Sequence, residues 1–242
     1  MNKTIGICAH SYEGGSLCFI TTCREGAALL GPHMHPPVIL SAVPMALSMP
    51  GWESDNYDEV GKYLYEGIEQ VAKAGADFFI CPDNTAHIVL ERMITNLPLP
   101  GLHIAEVVCK EIVSNQWKKV ALLGTKWTMN GPVYLNAMKK NDLVPMVPGK
   151  DVQDKIHNAI FDELCQGIFL QKTIDVFIDA IESLKNEGAE AVILGCTEIP
   201  LIINAENSSL PTLDSTRLLA KYAVKLAVSG KEIEGRGWVE PV

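Results

Sequence analysis

The sequence predicts an α/β protein built as two similar halves, each a parallel sheet with helices on its faces. Three observations carry that prediction. Short apolar runs alternate with stretches of helical periodicity, and this βαβα order builds a parallel sheet with covered faces. Two stretches echo each other: residues 75–87 read GADFFICPDNTAH and residues 188–200 read GAEAVILGCTEIP. Both begin Gly-Ala-acid, run through an apolar strand, and end on a small polar cluster containing Thr. The halves also keep step, since Ile5 lies 70 residues before Gly75 and Val120 lies 68 before Gly188. The expectation is a duplicated fold with a cleft between its halves. Residues 1–98 make the first half and 99–209 the second, with a C-terminal helix from about 210–228 packing back on the first.

In chain order, residues 3–7 form a first buried strand that runs into the small, polar turn Cys8-Ala9-His10-Ser11-Tyr12-Glu13-Gly14-Gly15. That turn lacks GxGxxG, so it is no dinucleotide fingerprint. Ser229-Gly230-Lys231 lacks the upstream glycine of a phosphate-binding loop. Residues 17–30 read as helix, 32–37 as loop and 38–43 as a second strand. The stretch 44–56, rich in Met, Pro, Gly and Trp, reads as a mobile loop over a site. Val60, Leu64, Ile68 and Val71 give residues 58–73 a helical period, with acidic residues early, Lys73 late, and Gly75 as the stop. Residues 77–80 are the first echo strand and 84–96 the next helix. Then come a helix at 107–115, a strand at 119–123, the turn Gly124-Thr125-Lys126-Trp127-Thr128, and a helix through 134–139. Residues 143–146 are a short strand, and 153–164 and 173–186 are helices, the second stopped by Gly188. The apolar run 191–194, bounded by glycine, is a strand buried on both faces. Residues 216–228 form a last amphipathic helix before a polar, Gly-rich tail.

At 242 residues the chain can bury a good core, and 48% hydrophobic with 20% charged residues excludes disorder. A net charge of −9 argues against nucleic acid or an anionic membrane as partner. It leaves room for a small anionic substrate, because helix N-termini bind anions through backbone dipoles. No signal peptide opens the sequence and no apolar run is long enough to span a membrane. The seven cysteines are odd in number and scattered, which fits free thiols in a reducing cytoplasm. His33 and His35 have no third ligand in view, so no metal is expected.

Chemistry in such sheets sits at the carboxyl ends of strands, where Cys196 stands. The stretches PDNTAH and LGCTEI resemble the paired active-site motifs of the aspartate/glutamate racemase family. The resemblance covers most of the chain, including the opening strand and the 124–128 turn. It implies two pseudo-symmetric α/β domains with the active site in the cleft between them. It further implies a PLP-independent amino-acid racemase that needs no cofactor, takes a small amino or carboxylic acid, and works as a homodimer. The related alternatives are a decarboxylase or cis–trans isomerase of small carboxylic acids, or a catalytically impaired amino-acid-binding relative.

Racemisation without PLP needs a base on one face of Cα, an acid on the other, and donors aimed at the carboxylate where charge builds up. Members of the family usually carry a catalytic cysteine just before Asn-Thr in the first motif. In this sequence that position is Asp83, and Cys81, two residues earlier, reads as core. Cys196 and Asp83 are thus the catalytic pair that the resemblance implies. Asp83 also reads as a cap of the following helix, and one residue can do both. A helix N-terminus after Cys196 is expected to lower its thiol pKa. Ser11, Asn84, Thr85, Thr125, Thr128 and Thr197 resemble the family's carboxylate-binding residues, with simple capping as the alternative for each. His10 and His87 read either as hydrogen-bonded core histidines or as groups that orient a thiolate. Members acting on acidic amino acids use basic residues from the loop at 44–56 and from the region around Cys165. This loop has no Arg or Lys and offers Met45, Met49 and Trp52. Either another residue, for example Lys172, supplies the charge, or the substrate has no acidic side chain.

Overall fold

The computed structural model describes residues 2–233 and 235–242. In chain order its elements are β1 (Ile5–Ala9), α1 (Tyr12–Leu30), β2 (Val38–Ala42), α2 (Met49–Glu53), α3 (Tyr57–Lys73), β3 (Phe78–Ile80), α4 (His87–Met93), β4 (Gly101–Leu102) and α5 (Ile104–Ser114). There follow β5 (Lys119–Gly124), α6 (Lys126–Asn130), α7 (Pro132–Lys140), β6 (Val144–Met146), α8 (Lys150–Asp162), α9 (Gln171–Asn186), β7 (Ala191–Gly195), β8 (Thr212–Asp214), α10 (Ser215–Val228) and β9 (Trp238–Val239). Short 3₁₀ turns include Met45–Leu47, Leu164–Gln166 and Ile199–Leu201.

The chain divides into two compact units. Met1–Val107 and Thr216–Val242 make the first, and Val108–Ser215 the second. The first holds a five-stranded sheet in the order β2-β1-β3-β4-β9, and the second a four-stranded sheet in the order β6-β5-β7-β8. Every strand pair is parallel.

Composition explains the strands that position the sites. All five residues of β1, IGICA, and all five of β7, AVILG, are buried, which is why both read as continuous apolar runs. In the first unit Ile5, Ile7, Phe78, Ile80 and Leu102 pack with Leu219, Tyr222, Val224 and Leu226 of α10. In α3 the side chain of Asn56 caps the Glu59 N–H, and Val60, Leu64, Ile68 and Val71 form the buried stripe. Gly75 follows with φ 99°, a left-handed turn that stops the helix at the cost only glycine avoids. In the second unit Gly124 and Gly195 face each other across β5 and β7. A Cβ on Gly124 would meet the Gly195 carbonyl oxygen at 2.8 Å, and one on Gly195 the Leu123 carbonyl oxygen at 2.9 Å. Glycine is therefore what lets these two strand ends close up just before Thr125 and Cys196.

Four segments differ from their sequence reading. Residues 44–56 are not a loose loop: the 3₁₀ turn runs into α2, whose Pro50 sits in its first turn. Gly51 lies against Val60 of α3, and Trp52 is 3% exposed. The composition that suggests a loop here serves tight packing instead. The polar tail supplies β9, which pairs with β4, Gly101 opposite Trp238. The strands β4 and β8 are new, each too short to show a period. Among the described residues no helix is long and apolar enough to cross a membrane.

Candidate active site

Each unit gathers titratable side chains at the carboxyl ends of its central strands. In the first unit His10 follows β1, Asp83 follows β3, and Ser48 lies between the 3₁₀ turn and α2. The ring of His10 bridges the other two. Its Nδ1 lies 2.6 Å from Oδ2 of Asp83 and its Nε2 lies 2.6 Å from Oγ of Ser48. The Ser48 hydroxyl in turn donates to the Met45 carbonyl at 2.9 Å. The other carboxylate oxygen of Asp83 accepts the Ala86 N–H at 3.2 Å, so Asp83 does cap the turn into α4. Its side chain remains 24% exposed. Burial alone would raise the Asp83 carboxyl, but the hydrogen bond and charge of His10 and the Ala86 N–H outweigh it. The group is held below its ordinary value.

His87 supports the backbone of this turn. Its Nδ1–H donates to the Asp83 carbonyl at 2.9 Å, and its Nε2 accepts the Ile104 N–H at 3.3 Å. It stacks on Trp238 with centroids 5.5 Å apart and meets His103 edge-on at 4.7 Å. Burial, helped by the charge of His103, pushes its pKa down to about 3, so the ring stays neutral. His10 and His87 thus both serve Asp83, one at the carboxylate and one at the backbone, rather than a thiolate. Cys81 is fully buried, its thiol held well above the usual range by hydrogen bonding with Cys8 and by burial. Asn84 and Thr85 are buried in the turn before α4, and Ser11 caps α1 by accepting the Gly14 N–H at 3.1 Å.

In the second unit Thr125 caps α6, its hydroxyl accepting the Thr128 N–H at 3.1 Å and lying 3.2 Å from the Thr128 hydroxyl. Cys196, 9% exposed, follows β7 directly. The expected helix after it is replaced by the 3₁₀ turn Ile199–Leu201. The thiol instead donates to Oε2 of Glu198 at 2.9 Å, and the Thr197 hydroxyl donates to the same oxygen at 2.7 Å. Burial, then the charge and hydrogen bond of Glu198, push the Cys196 thiol well above its ordinary value. This reverses the lowering expected from a helix N-terminus. The sequence reading passed over Glu198 and Ser48. Glu198 stands two residues from Cys196 inside the LGCTEI motif, which is the signal that could have found it. Nothing in the local sequence around Ser48 marks it.

Residues 14–223 match the family model described as Asp/Glu/Hydantoin racemase. The broad specificity amino-acid racemase RacX of Bacillus subtilis is 30% identical over 174 residues, which cover 70% of this chain and 73% of that protein. The structure of an aspartate racemase homologue from Pyrococcus horikoshii superposes with a TM-score of 0.77 at 26% identity, over 93% of this chain and 99% of that one. A glutamate racemase from Francisella tularensis, solved in complex with D-glutamate, shares the fold with a TM-score of 0.68 at 13% identity, over 98% and 86% of the two chains.

Proposed function

Because the chain belongs to the Asp/Glu/hydantoin racemase family, we propose that it is a cofactor-independent amino-acid racemase with Asp83 and Cys196 as its two acid–base groups. One observation carries the proposal. Each sheet ends in a titratable side chain that already has a proton partner, Asp83 with His10 and Cys196 with Glu198. Moving a Cα proton from one face of a substrate to the other needs that pair of functions. The Cys196 thiol gives its proton to the substrate in one direction. In the other it first loses it to Glu198, the acceptor that its hydrogen bond already names, and the thiolate takes the Cα proton. The hydroxyls and backbone N–H groups of Ser11, Asn84, Thr85, Thr125, Thr128 and Thr197 are assigned to the substrate carboxylate, where the carbanion's charge is spread.

Residues 44–56 contain no Arg or Lys, which supports a substrate with an uncharged side chain, and the breadth of RacX agrees with that. The alternative keeps Lys172 as the partner of an acidic side chain. Seven cysteines, none of them in a disulfide, support action in the cytoplasm, and the family resemblance supports a homodimer.

The test is to incubate single enantiomers of a panel of amino acids with the protein in D₂O, without added cofactor. Deuterium at Cα is followed by mass spectrometry and enantiomer ratio by chiral chromatography. Cys196→Ala should abolish exchange from both enantiomers. Asp83→Ala should lose at least about a hundredfold in turnover, the lower range for a general acid–base group, while Asp83→Cys should retain some activity. If no amino acid exchanges its Cα proton, the racemase reading is wrong. If Asp83→Ala turns over at the wild-type rate, Asp83 is only a cap.

A further inference from the structure

We propose that Trp238, in the last strand of the chain, is a positioning residue for Asp83 that acts through the ring of His87. This rests on the reading of Asp83 as an acid–base group.

Asp83 stands beyond the ladder that carries it. That ladder ends where Ile80 pairs with Ile7 and Leu102, and Asp83 lies three residues further on. His87 fixes its main chain. A carbonyl only accepts and a backbone N–H only donates, so the two contacts of this ring assign its tautomer. Nδ1 carries the hydrogen given to the Asp83 carbonyl at 2.9 Å, and Nε2 is bare toward the Ile104 N–H at 3.3 Å. Burial, which holds the pKa of the ring at about 3, keeps it in that neutral form. The ring therefore ties the Asp83 turn to the start of α5. Both bonds are directional and weaken when the ring tilts.

The tilt of the ring is set by Trp238. The half-buried indole lies nearly parallel to His87, with centroids 5.5 Å apart and planes 19° apart. It also meets His103 edge-on at 4.6 Å and Phe79 at 6.1 Å. His103 is itself anchored, its Nδ1 accepting the Ala105 N–H at 3.2 Å and its Nε2 lying 3.0 Å from Glu91. Trp238 and His103 thus hold the His87 ring from two directions.

The sequence is suited to this approach. Gly101 lies opposite Trp238 in the ladder, and its N–H donates to the Gly237 carbonyl at 2.9 Å. A Cβ at Gly101 would fall 2.5 Å from the Phe79 ring and 3.0 Å from the Trp238 ring. The bare backbone there lets the indole reach both Phe79 and His87. Gly237, with φ 125°, turns the chain into β9 through a conformation that side chains rarely adopt. Packing alone would be served by any bulky apolar side chain at this position, whereas holding the plane of His87 takes a flat ring. Trp238→Phe keeps a ring face, and Trp238→Leu keeps apolar bulk without one.

The experiment measures kcat and KM for Cα-proton exchange in wild type, Trp238→Phe, Trp238→Leu and Val239→Ala, with stability from chemical denaturation. Misplacing a reacting group by an ångström costs up to about a hundredfold, so Trp238→Leu should lower kcat about tenfold or more with KM little changed. Trp238→Phe should recover most of that loss. Val239, on the same strand, packs on the core of the first unit, so Val239→Ala should lose stability and keep its turnover. A wild-type kcat in Trp238→Leu, or a loss of kcat that simply tracks stability across the three variants, would overturn the proposal.

Proton NMR of the His87 Nδ1–H reads the same link without turnover. In wild type this proton and the Gly101 N–H, which is released when β9 leaves β4, should exchange with water through one opening of equal free energy, as members of one cooperative unit do. In Trp238→Leu the imidazole proton should exchange faster, and in Trp238→Phe at close to the wild-type rate. An Nδ1–H that opens independently of Gly101, or that is unchanged in Trp238→Leu, would equally overturn the proposal. If wild type exchanges no amino acid, the racemase reading fails and the imidazole proton alone decides the link. If Trp238→Leu does not fold, the wild-type comparison with Gly101 still decides it.

Discussion

Replacing Glu198 by glutamine should make the Cys196 thiol more acidic and the enzyme slower. Oε2 of Glu198 lies 2.9 Å from the Cys196 sulfur and accepts its proton. Both the charge and the hydrogen bond of this carboxylate raise the thiol, since each favours S–H over a thiolate beside a second negative charge. The part due to burial remains after the substitution, and the glutamine amide can donate to a thiolate. A downward shift of the thiol is therefore expected. The assay is the pH dependence of Cys196 alkylation by iodoacetamide, followed by peptide mass spectrometry, with Cys196→Ala as the blank. At neutral pH alkylation should accelerate at least tenfold. Racemisation should drop at least tenfold, because the acceptor for the thiol proton is gone. An alkylation profile that stays in place, or moves to higher pH, would refute the assignment of Glu198 as the group that holds this proton.

Three further outcomes follow from the packing. Trp52→Ala should cost about 3–5 kcal/mol in chemical denaturation, as buried tryptophans do. A cost below about 1 kcal/mol would mean that α2 is not part of the core. Gly195→Ala forces a methyl within 2.9 Å of the Leu123 carbonyl oxygen, so it should destabilise by about 1–3 kcal/mol and lower turnover by shifting Cys196. Unchanged stability and turnover would show that the strand ends have room to spare. Buried His87 has a folded-state pKa of about 3 against an ordinary 6.5, so the unfolded chain takes up its proton first as pH falls. Its contribution is fully present above about pH 6.5 and is lost toward pH 3, with a slope of up to about 1.4 kcal/mol per pH unit. His87→Gln should flatten that part of the stability profile measured by denaturation at each pH, and an equally steep profile would remove His87 as its cause.

The alternation of apolar runs and amphipathic helices sufficed to read the parallel α/β class, because strands buried on both faces are written as unbroken apolar stretches. The ends of α3 were legible in Asp58, Glu59, Lys73 and Gly75 for the same local reason. The strands β4, β8 and β9 were not legible. Each is two or three residues long, and what makes it a strand is a neighbour distant in sequence: Gly101 pairs with Trp238. The segment 44–56 misled because Pro50, Gly51 and Trp52 are loop-like by type, while Gly51 lies tight against Val60. At the candidate site, the echo motifs and the family resemblance pointed to Asp83 and Cys196, which lie at the carboxyl ends of β3 and β7. Their partners were harder to find. His10 meets Asp83 across 73 residues of sequence, a separation that no local pattern encodes. The sign of the Cys196 shift was misjudged because a 3₁₀ turn, preceded by the Glu198 carboxylate, stands where a helix was expected.

The first unit is discontinuous in the chain, and that has a consequence for synthesis. Residues 108–215 leave the ribosome as one uninterrupted stretch that contains every strand of its own sheet. Residues 1–107 emerge earlier yet lack α10, whose Leu219, Tyr222, Val224 and Leu226 fill their core, and β9, which covers their sheet edge at β4. Domains generally fold as they are made, N-terminal first. Here the order is inverted: residues 1–107 wait, with apolar surface uncovered, until α10 and β9 arrive. Chaperone demand during translation, and the harm done by a stop codon between residues 107 and 215, both trace to that one threading of the chain.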